Sequence, residues 1–511
     1  MTVLGKEPES YIITKTQTTG LQDPLGLYLP TAIAIDLSLT RLLQLLPHLP
    51  YTRPTLHIAG TNGKGSVSAL LTSILLATPT SPSHPAPLHI GQFNSLHLLS
   101  VLDSITLSNV PVSQATYDKA RNEVLDADRA QGTKLTNFEV LTMAALRVFE
   151  NEKVDIVVLE VGMGGRLDAT NVIPDDSVLV SALTAVDLDH QMFLGATVGL
   201  IAKEKAGIAR KGRPFVLGRQ KHEEVKEVVK ATVESVGGTL VPALEVKPGE
   251  GAVRWSILEL DPDGADVTPP PQPVVVTLNS FPDTPLHASL PLHGAHQLDN
   301  LGTALGVIDS LLSSTVPLAT SLNLKGRISL DSIAQGIAAT RWPGRLSFHT
   351  LSFPLQDGQQ KKLVVLADGA HNPASAETLG AYITHLLSLS QSSTASSTPS
   401  SLTTTVPITY ILALSHSPPK TSLQTLSPIL PPTLTRSAST STSTSDLNVK
   451  TSVALLRFTP PDGMPWIKSV PPASSRRRTV ADPQLLRRRR DIWAAPERTP
   501  FWSALVERIS L

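Results

Sequence analysis

The stretch HIAGTNGKGSVSALL, residues 57–71, places an apolar strand, a glycine-rich turn and a helix in direct succession. Its three glycines allow the turn to close tightly and to direct backbone N–H groups inward. The helix that follows adds partial positive charge at its N-terminus, where phosphate groups bind. This order of elements predicts an α/β domain with a nucleotide site, in which Lys64 supplies a full charge and Ser66 a hydroxyl.

The turn departs from the usual phosphate-loop motif G-x-x-x-x-G-K-[ST]. Gly65 follows the lysine where serine or threonine is expected, and Ile58 stands at the position of the first glycine. A glycine-rich turn with a solvated lysine is therefore the alternative interpretation. The strand–turn–helix context favours a nucleotide site.

Two uninterrupted apolar runs, VDIVVLE at 154–160 and VLVSALTAV at 178–186, are typical of strands buried on both faces. Apolar residues at helical spacing over 67–75 predict that the helix after the turn buries one side. A further helix is expected over 35–46, with Leu43 on its buried face. Strands that alternate with helices predict a parallel sheet covered on both sides.

A second α/β unit follows, with the strand KLVVLAD, a helix beginning near Pro373 and the strand VPITYILAL. The domain boundary is placed near Thr340. We therefore predict a first domain over 1–340 and a smaller second domain over 341–511. Within the second domain, low-complexity loops and an atypical tail are expected at 388–405, at 437–445 and from about 473 onward.

The composition excludes several classes of function. The chain has 511 residues with 43 basic and 43 acidic side chains and no cysteine. Disulfides, thiolate metal sites and a cysteine nucleophile are excluded, and no global basic field attracts nucleic acid. The arginine clusters at 476–478 and 487–490 are interpreted as a solvated tail rather than a nucleic-acid contact.

No apolar run has the length of a membrane span, and the first residues resemble neither a signal peptide nor a presequence. We expect a soluble cytoplasmic protein, with a mitochondrial location left open. A monomer without nucleic-acid or membrane partners is expected.

Polar side chains follow the ends of both apolar strands. Glu160 closes the first strand, and a buried carboxylate is costly unless it is paired or bound to metal. Beside a phosphate loop, Mg²⁺ is the preferred interpretation, and a cap for the GMGG turn is the alternative. His190 follows the second strand. It is either a second metal ligand or a structural histidine, and the pattern leaves both open.

A lysine falls on an apolar helical face in TVGLIAKEKAGIARKG. Val198, Ile201, Ala202 and Lys205 share that face at helical spacing. A lysine there must extend to solvent, find a partner or change its charge. Because the face is predicted to approach a metal and phosphate site, we consider Lys205 a functional candidate.

Eight stretches together resemble the folate branch of the Mur ligase superfamily, which contains dihydrofolate synthases and folylpolyglutamate synthases. In chain order they are AGTNGKGS, LTNFEVLT, EVGMGGRLDATNV, DLDH, LGATVGLIAKEKAGI, GAHQLDN, RWPGRL and DGAHNP, and they span residues 59–373. In this family the loop reads GTxGKGS, which accounts for Gly65. The family's fold would be α/β and Mur-ligase-like, with a phosphate-loop parallel-sheet ATPase domain and a smaller Rossmann-like C-terminal domain.

The resemblance also implies roles for individual residues. ATP contacts are implied for Gly63, Lys64, Gly65, Ser66, Asn300, Arg345 and Asp368. Magnesium ligands, for what would be two ions, are implied at Ser95, Glu160 and His190. Catalytic roles are implied for Lys64, Glu160, His190, Asp368, His371 and a carbamylated Lys205. A pterin pocket is implied from Asp36, Thr136, Asn137, Phe138, Glu139, Leu167, Asp168 and Ala169.

The implied reaction is ATP-dependent: L-glutamate is joined to the carboxylate of 7,8-dihydropteroate through an acyl phosphate. Asn62 and the EKAGI segment favour this activity over extension of the glutamate tail of reduced folates, which stays the alternative within the family. A phosphate-loop kinase and a non-catalytic relative are the alternatives outside it. The chain departs from the family pattern at Leu96, at Asp103–Ser104 and in its tail.

Overall fold

The computed structural model of this chain describes residues 38–80, 86–95, 100–251, 255, 268–354, 360–394, 405–415, 421–429, 448–456, 469 and 492–494. Asp36, the arginine clusters and the loop predicted at 437–445 lie outside these residues.

The largest element is a sheet of eight strands, which supports the predicted α/β class. The strands are β1 Thr55–Ala59, β2 Ile90–Phe93, β3 Ile105–Leu107, β4 Val110–Pro111, β5 Ile156–Glu160, β6 Val178–Leu183, β7 Pro214–Leu217 and β8 Thr239–Pro242. Their order in the sheet is β4-β3-β2-β5-β1-β6-β7-β8. The pairs β2–β3 and β3–β4 are antiparallel, and the remaining pairs of this sheet are parallel.

Helices cover both faces of this sheet. They are α1 Thr40–Leu45, α2 Lys64–Leu76, α3 Gln114–Gln131, α4 Asn137–Asn151, α5 Gln191–Leu194, α6 Val198–Ala206, α7 Glu223–Val236, α8 His296–Leu312, α9 Pro317–Thr320 and α10 Leu330–Ala339. Alternate residues of β5 enter opposite cores. Ile156 and Val158 pack with α2, α8 and α10, whereas Val157 and Leu159 pack with α3 and α4. The apolar runs therefore form strands buried on both faces, as predicted.

Smaller sheets complete the described structure. One contains β9 Lys247–Pro248, β10 Gln272–Val276 and β11 Leu286–Leu290, and a second pairs β12 Ser347–Pro354 with β13 Gln360–Ala367. A third contains β14 Thr405–Leu412, β15 Asn448–Leu455 and β16 Ile492–Ala494, all parallel. The last two helices are α11 Pro373–Thr394 and α12 Ser422–Leu426. β16 belongs to the segment predicted as an atypical tail, and it pairs with β15 in this sheet. The domain boundary near Thr340 stays a prediction.

Three expectations from the sequence are wrong in detail. The loop predicted from 388 is helical as far as Thr394, because α11 continues through the serine-rich stretch. Leu43 is 56 % exposed, and Leu45 faces the core in its place, beside Leu42 of the predicted face. The helix after the glycine turn is buried on all sides over residues 66–75 rather than on one. It lies between the sheet and the helices α8 and α10, and its Ser73 hydroxyl donates to the carbonyl of Gly336 at 2.7 Å.

No single helix among the described residues is long and apolar enough to cross a membrane. A bent pair, His296–Leu312 with Pro317–Gly326, meets the criteria of length and composition with a 94° break between its two parts.

The close approach of α10 to α2 generates a prediction about stability. A Cβ at Gly336 would lie 2.4 Å from the Cα of Ile74 and 2.9 Å from the Ser73 carbonyl oxygen, so backbone would have to move. We expect Gly336→Ala to destabilise the first domain by about 1–3 kcal/mol. Thermal denaturation followed by circular dichroism measures this. Gln335→Ala, on an exposed position of the same helix, is the control, and equal melting temperatures for the two variants would contradict the packing argument.

Candidate functional site

The glycine turn between β1 and α2 has no room for side chains at two of its positions. Gly63 precedes α2 with φ +95°, and a Cβ there would lie 2.2 Å from Asn300 Oδ1. A Cβ at Gly65 would lie 2.7 Å from the indole of Trp342. The turn is therefore enclosed by residues from far along the chain. The buried helix α2 begins directly after it, so the N-terminus of that helix faces the turn.

Backbone hydrogen bonds hold the turn against the neighbouring strand end. The N–H groups of Thr61 and Asn62 donate to the carbonyl of Ala185 at 2.9 and 3.2 Å. The hydroxyl of Thr184 donates to the Asn62 carbonyl at 2.7 Å. The turn is thus preorganised by main-chain contacts, and the carboxyl ends of β1 and β6 form one site.

Lys64 and Glu160 face each other across this site. Lys64 Nζ lies 3.8 Å from Glu160 Oε1, and the Glu160 side chain is 6 % exposed. Burial raises the pKa of Glu160 to about 7, although Lys64 and Arg345 oppose the shift. The lysine does not point outward to solvent, so the structure supports a phosphate-loop geometry rather than a turn with a solvated lysine.

Lys205 is buried at the same place. It is 3 % exposed, and its Nζ donates to the carbonyl of Gly60 at 2.8 Å. Burial, followed by the positive charge of Lys64, lowers the Lys205 pKa to about 7, while Asp189 and Asp168 act in the opposite direction. Lys205 therefore does not extend to solvent. Its buried amine is instead partly neutral near physiological pH.

The predicted magnesium ligands follow strand ends at one edge of the sheet. Phe93 of β2 pairs with Leu159 of β5, which places Ser95 two residues beyond the strand that neighbours Glu160. The described residues contain no group of three or more His, Asp or Glu side chains arranged to hold a metal. Mg²⁺ is commonly held by one or two carboxylates together with phosphate oxygens and water. A buried glutamate beside a phosphate turn fits that donor set, and ligation by Ser95, Glu160 and His190 stays a prediction.

His190 lies in the loop that leads from β6 to α5. Its backbone has φ +50°, and its N–H donates to Asp189 Oδ1 at 2.9 Å. The imidazole is 42 % exposed, with Nε2 4.0 Å from Asp189 Oδ2. Asp189 itself is 3 % exposed. The buried member of the DLDH stretch is therefore this aspartate, which the sequence did not single out.

The predicted second domain contributes Arg345, Asp368 and His371 to this region. The pKa of Asp368 is raised by burial, although its carboxylate accepts hydrogen bonds from the N–H groups of Leu346 and Ala370 at 2.9 Å each. Arg345 interacts electrostatically with both Glu160 and Asp368. His371 Nε2 lies 3.3 Å from Asp189 Oδ2. Arg345 and His371 thus reach Glu160 and Asp189 although they are more than 180 positions from Glu160 in the chain, and Asp368 lies beside Arg345.

Asn300 reaches the turn through a chain of polar contacts. Its Nδ2 donates to Gln297 Oε1 at 2.9 Å, and Gln297 Nε2 donates to the hydroxyl of Ser66 at 3.3 Å. Nearby, Trp342 Nε1 and His296 Nδ1 are buried without a hydrogen-bond partner among the described residues. Polar atoms of a bound nucleotide would satisfy such groups. Gln297 and Trp342 were missed from the sequence, although both lie in the stretches that carried the resemblance.

The segment Thr136–Glu139, predicted to contact a pterin, begins α4. Thr136 and Glu139 form a capping box, in which the Thr136 N–H donates to Glu139 Oε2 at 2.7 Å. Arg41 also donates to both carboxylate oxygens of Glu139 at 3.0–3.2 Å. Glu139 thus has a structural role here, and Asn137 is exposed. Contacts with a substrate by residues of this segment stay a prediction.

Asp168 organises the loop that follows Glu160. It is 5 % exposed and accepts hydrogen bonds from the Met163 N–H at 2.7 Å and from the Thr170 hydroxyl at 2.6 Å. A Cβ at Gly162 would lie 2.3 Å from the ring of Phe138, so this predicted pocket residue touches the same loop. Leu167 is half-buried and Ala169 is buried beside Asp168. The structure therefore brings together the two separate segments assigned to the pterin pocket.

The raised pKa of Glu160 implies a measurable dependence of stability on pH. The pKa is about 7 when folded and 4.5 in a model compound, so the folded state keeps a proton that the unfolded state loses. The stabilisation is complete below pH 4.5 and is lost as pH rises to about 7. Relative to Glu160→Gln, we expect the wild-type protein to lose on the order of 3 kcal/mol across this range.

Melting temperatures measured between pH 5 and 8 without nucleotide or Mg²⁺ test this expectation. The opposite shift of Lys205 acts above pH 7. The lowered pKa values of His57, His293 and His296 act below pH 7 but are common to both proteins, so the difference between the two profiles isolates Glu160. Parallel pH profiles for the wild-type protein and Glu160→Gln would show that the carboxyl is ionised throughout.

Comparison with known proteins places this arrangement in a family. Residues 349–482 match the family model described as the dihydrofolate synthetase C-terminal domain. The chain is 31 % identical over 444 residues to the dihydrofolate synthetase of Saccharomyces cerevisiae, with 86 % of each chain covered. It is 33 % identical over 352 residues to a probable dihydrofolate synthetase of Schizosaccharomyces pombe, which covers 68 % of this chain and 72 % of that protein.

A solved structure extends the similarity to three dimensions. The folylpolyglutamate synthase of Mycobacterium tuberculosis, crystallised with ADP and AMPPCP, is 25 % identical with a TM-score of 0.63, and the match covers 90 % of this chain and 85 % of that one. Its fold agrees with the Mur-ligase-like architecture expected from the sequence. The yeast match exceeds 30 % identity over more than four fifths of the chain. The protein belongs to the dihydrofolate synthase and folylpolyglutamate synthase family.

Proposed function

We propose that this protein is an ATP-dependent ligase that joins L-glutamate to the carboxylate of 7,8-dihydropteroate, with 7,8-dihydrofolate, ADP and phosphate as products. The observation that carries the proposal is the buried Lys64–Glu160 pair at the phosphate turn, on which Arg345 of the second domain acts electrostatically, with Asp368 beside Arg345. The fungal relatives named dihydrofolate synthetases support the choice of substrate. The bacterial relative with ADP and AMPPCP supports ATP as the phosphoryl donor.

The reaction needs an activated carboxylate, because a free carboxylate has no adequate leaving group. An oxygen of the dihydropteroate carboxylate attacks the γ-phosphorus of ATP, ADP leaves, and an acyl phosphate forms. The amino group of glutamate then attacks the acyl carbon. The tetrahedral intermediate expels phosphate, the nitrogen loses a proton, and an amide bond remains. The protein mainly positions these reactants and neutralises charge.

Individual side chains divide this work. Lys64, at the N-terminus of α2, neutralises phosphate charge, and Arg345 adds a second positive charge from the other domain. Asn300 donates to Gln297, which in turn donates to Ser66, and this pair holds the nucleotide side of the turn. Ser95, Glu160 and His190 would hold one or two magnesium ions, which supply charge neutralisation at the phosphates. Because Glu160 binds Mg²⁺ as a carboxylate and its pKa is about 7, protons compete with the metal and its affinity should fall as pH drops below about 7.

The site is assembled from one chain, which is the basis for proposing a monomer that binds small-molecule substrates. A cytoplasmic location stays a prediction, and fractionation of the cells that produce the protein tests it.

Phosphate release identifies the activity. With ATP, Mg²⁺ and L-glutamate, we expect release that depends on added dihydropteroate, since the acyl phosphate forms on that carboxylate. Release only with tetrahydrofolate would support the polyglutamate synthase instead. Release onto another acceptor would support a kinase, and no release with any acceptor would support a non-catalytic relative. Lys64→Ala is expected to lower the dihydropteroate-dependent rate by at least about 100-fold.

We further propose that Lys205 carries a carbamate. Its buried amine has a pKa of about 7, so a large neutral fraction is available as a nucleophile near neutral pH. The amine attacks carbon dioxide, an N–C bond forms, and one proton is released. The product is an anion beside Lys64, which exchanges repulsion between two ammonium groups for attraction. The resemblance to the family implies the same modification.

Replacement of Lys205 tests the carbamate. Lys205→Ala is expected to lower turnover strongly, because the anion and its charge balance are lost, and formate or acetate should restore part of the rate by occupying the vacated space. Lys203→Ala, on the exposed side of the same helix, is the matched control and should keep the parent rate. An unchanged rate in Lys205→Ala would refute any role, and loss of rate without rescue would argue against a carbamate.

A further inference from the structure

Asn372 is almost completely buried at the start of α11, where its neighbour is open to solvent. It is 1 % exposed, whereas the side chain of His371 is 48 % exposed. Asn372 Oδ1 accepts hydrogen bonds from the N–H and the hydroxyl of Ser375, both at 2.9 Å. This is an N-cap arrangement, which accounts for the oxygen end of the side chain. It also fixes the direction of the amide, because the oxygen must face the backbone donor.

The nitrogen end of Asn372 crosses to the first domain. Nδ2 donates to Asn62 Oδ1 at 3.1 Å and to Asp189 Oδ2 at 3.2 Å. An amide nitrogen carries two hydrogens, so the two acceptors use both. Asn62 belongs to the phosphate turn, and Asp189 follows β6. A single side chain of the second domain is therefore bound to both loops that build the nucleotide site.

Both acceptors are themselves held in place. The main chain of Asn62 is hydrogen-bonded on both sides, to the Ala185 carbonyl and to the Thr184 hydroxyl. Asp189 Oδ1 accepts the His190 N–H at 2.9 Å. These bonds hold the backbone of Asn62 and one carboxylate oxygen of Asp189, so the Asn372 amide meets two acceptors that belong to ordered loops of the first domain.

The chemistry of the site selects asparagine among the usual N-cap residues. Aspartate would cap α11 but would place a second carboxylate against the buried Asp189, and like charges at low dielectric repel strongly. Serine and threonine would also cap the helix, but each has one hydroxyl hydrogen and a shorter reach. Only asparagine combines a cap acceptor with two donors directed across the domain boundary.

We propose that Asn372 is a positioning residue that holds the second domain closed on the phosphate turn, through Asn62 and Asp189. Asp368 and His371 precede it by four residues and one residue, so closure at Asn372 places both over the site. The effect of closure on catalysis rests on the proposed ligase function. The contact made by Asn372 does not depend on that function. His371 Nε2 also lies 3.3 Å from Asp189 Oδ2, and the contact of Lys221 with Glu377 at 4.0 Å is largely exposed and is screened by solvent.

Asn372→Ser tests the proposal because it keeps a cap oxygen and removes both amide N–H donors, and the shorter serine hydroxyl does not reach across the boundary. We expect kcat to fall by about 10- to 100-fold, since the loss of two buried hydrogen bonds shifts the closed population by that factor. The melting temperature should stay close to that of the parent, because the cap of α11 is retained. Glu377→Gln is the matched control. It removes the exposed contact between the domains and should leave kcat unchanged.

The distance between the two domains can be measured independently of enzymatic activity. The chain has no cysteine, so Lys230→Cys in α7 and His385→Cys in α11 provide two unique labelling sites, one in each domain. With AMPPCP and Mg²⁺ bound, we expect energy transfer between dyes at these sites to report one closed state in the parent. A longer or broader distance distribution is expected in Asn372→Ser and not in Glu377→Gln.

Swapping the side chains at positions 372 and 189 distinguishes loss of this specific contact from general disruption of the fold. Asn372→Asp alone should open the domains, whereas adding Asp189→Asn should recover closure, because donor and acceptor are then interchanged. An unchanged distance distribution in Asn372→Ser would overturn the proposal whatever its kcat, and an opened distribution with an unchanged kcat would overturn the positioning role. If the parent releases no phosphate with dihydropteroate, the proposed function fails, and the distance measurement still decides the contact.

Discussion

The buried ion pair between Lys64 and Glu160 is the interaction on which the site depends. A carboxylate at the end of a fully buried strand has lost its water, and a cation must replace part of that solvation. At 3.8 Å the lysine is close enough to interact and too far to form a hydrogen bond, so the pair leaves the glutamate protonated to a large extent near neutral pH. This incomplete compensation makes the position receptive to a divalent cation and phosphate.

Charges around this pair alternate in sign and come from both domains. Lys205 is partly compensated by Asp189 and Asp168, and Arg345 acts on Glu160 from the other domain. In a poorly hydrated site each charge alters the protonation of its neighbours, so no group titrates independently. Binding of nucleotide and metal would rearrange the whole set. A carbamate on Lys205 would replace a cation by an anion at the centre of this arrangement, which links modification to metal affinity.

The second domain contributes through short polar contacts rather than through a large apolar surface in this region. Asp368 is held by two backbone N–H groups, and Asn372 is directed by the cap of α11. Both arrangements use local structure to orient a side chain, and Asn372 reaches across to the first domain. Contacts of this kind are directional and can be broken at modest cost, which suits a ligase whose domains must open to exchange reactants and close to exclude water.

The sequence alone determined the α/β class, the buried strands predicted over 154–160 and 178–186, and the glycine turn before α2. These features depend on local periodicity and on backbone conformations that glycine adopts readily. It also identified Lys205 as unusual, because a lysine on an apolar stripe is visible from helical spacing. The eight family stretches supplied Arg345, Asp368 and His371 as candidates, without showing what they touch.

Only the tertiary structure decided which polar residues meet. Asp189 and His190 are equally polar neighbours in the sequence, yet the chain buries the first and leaves the second half-exposed. Helix α2 has an apolar face by pattern and is nevertheless enclosed on all sides, since α8 and α10 arrive from more than 200 residues away. Asn372 looks like an ordinary helix cap, and its two contacts with the first domain follow from how the domains pack. Periodicity records the environment of a residue along its own helix or strand, whereas contacts between distant segments depend on the arrangement of the whole chain.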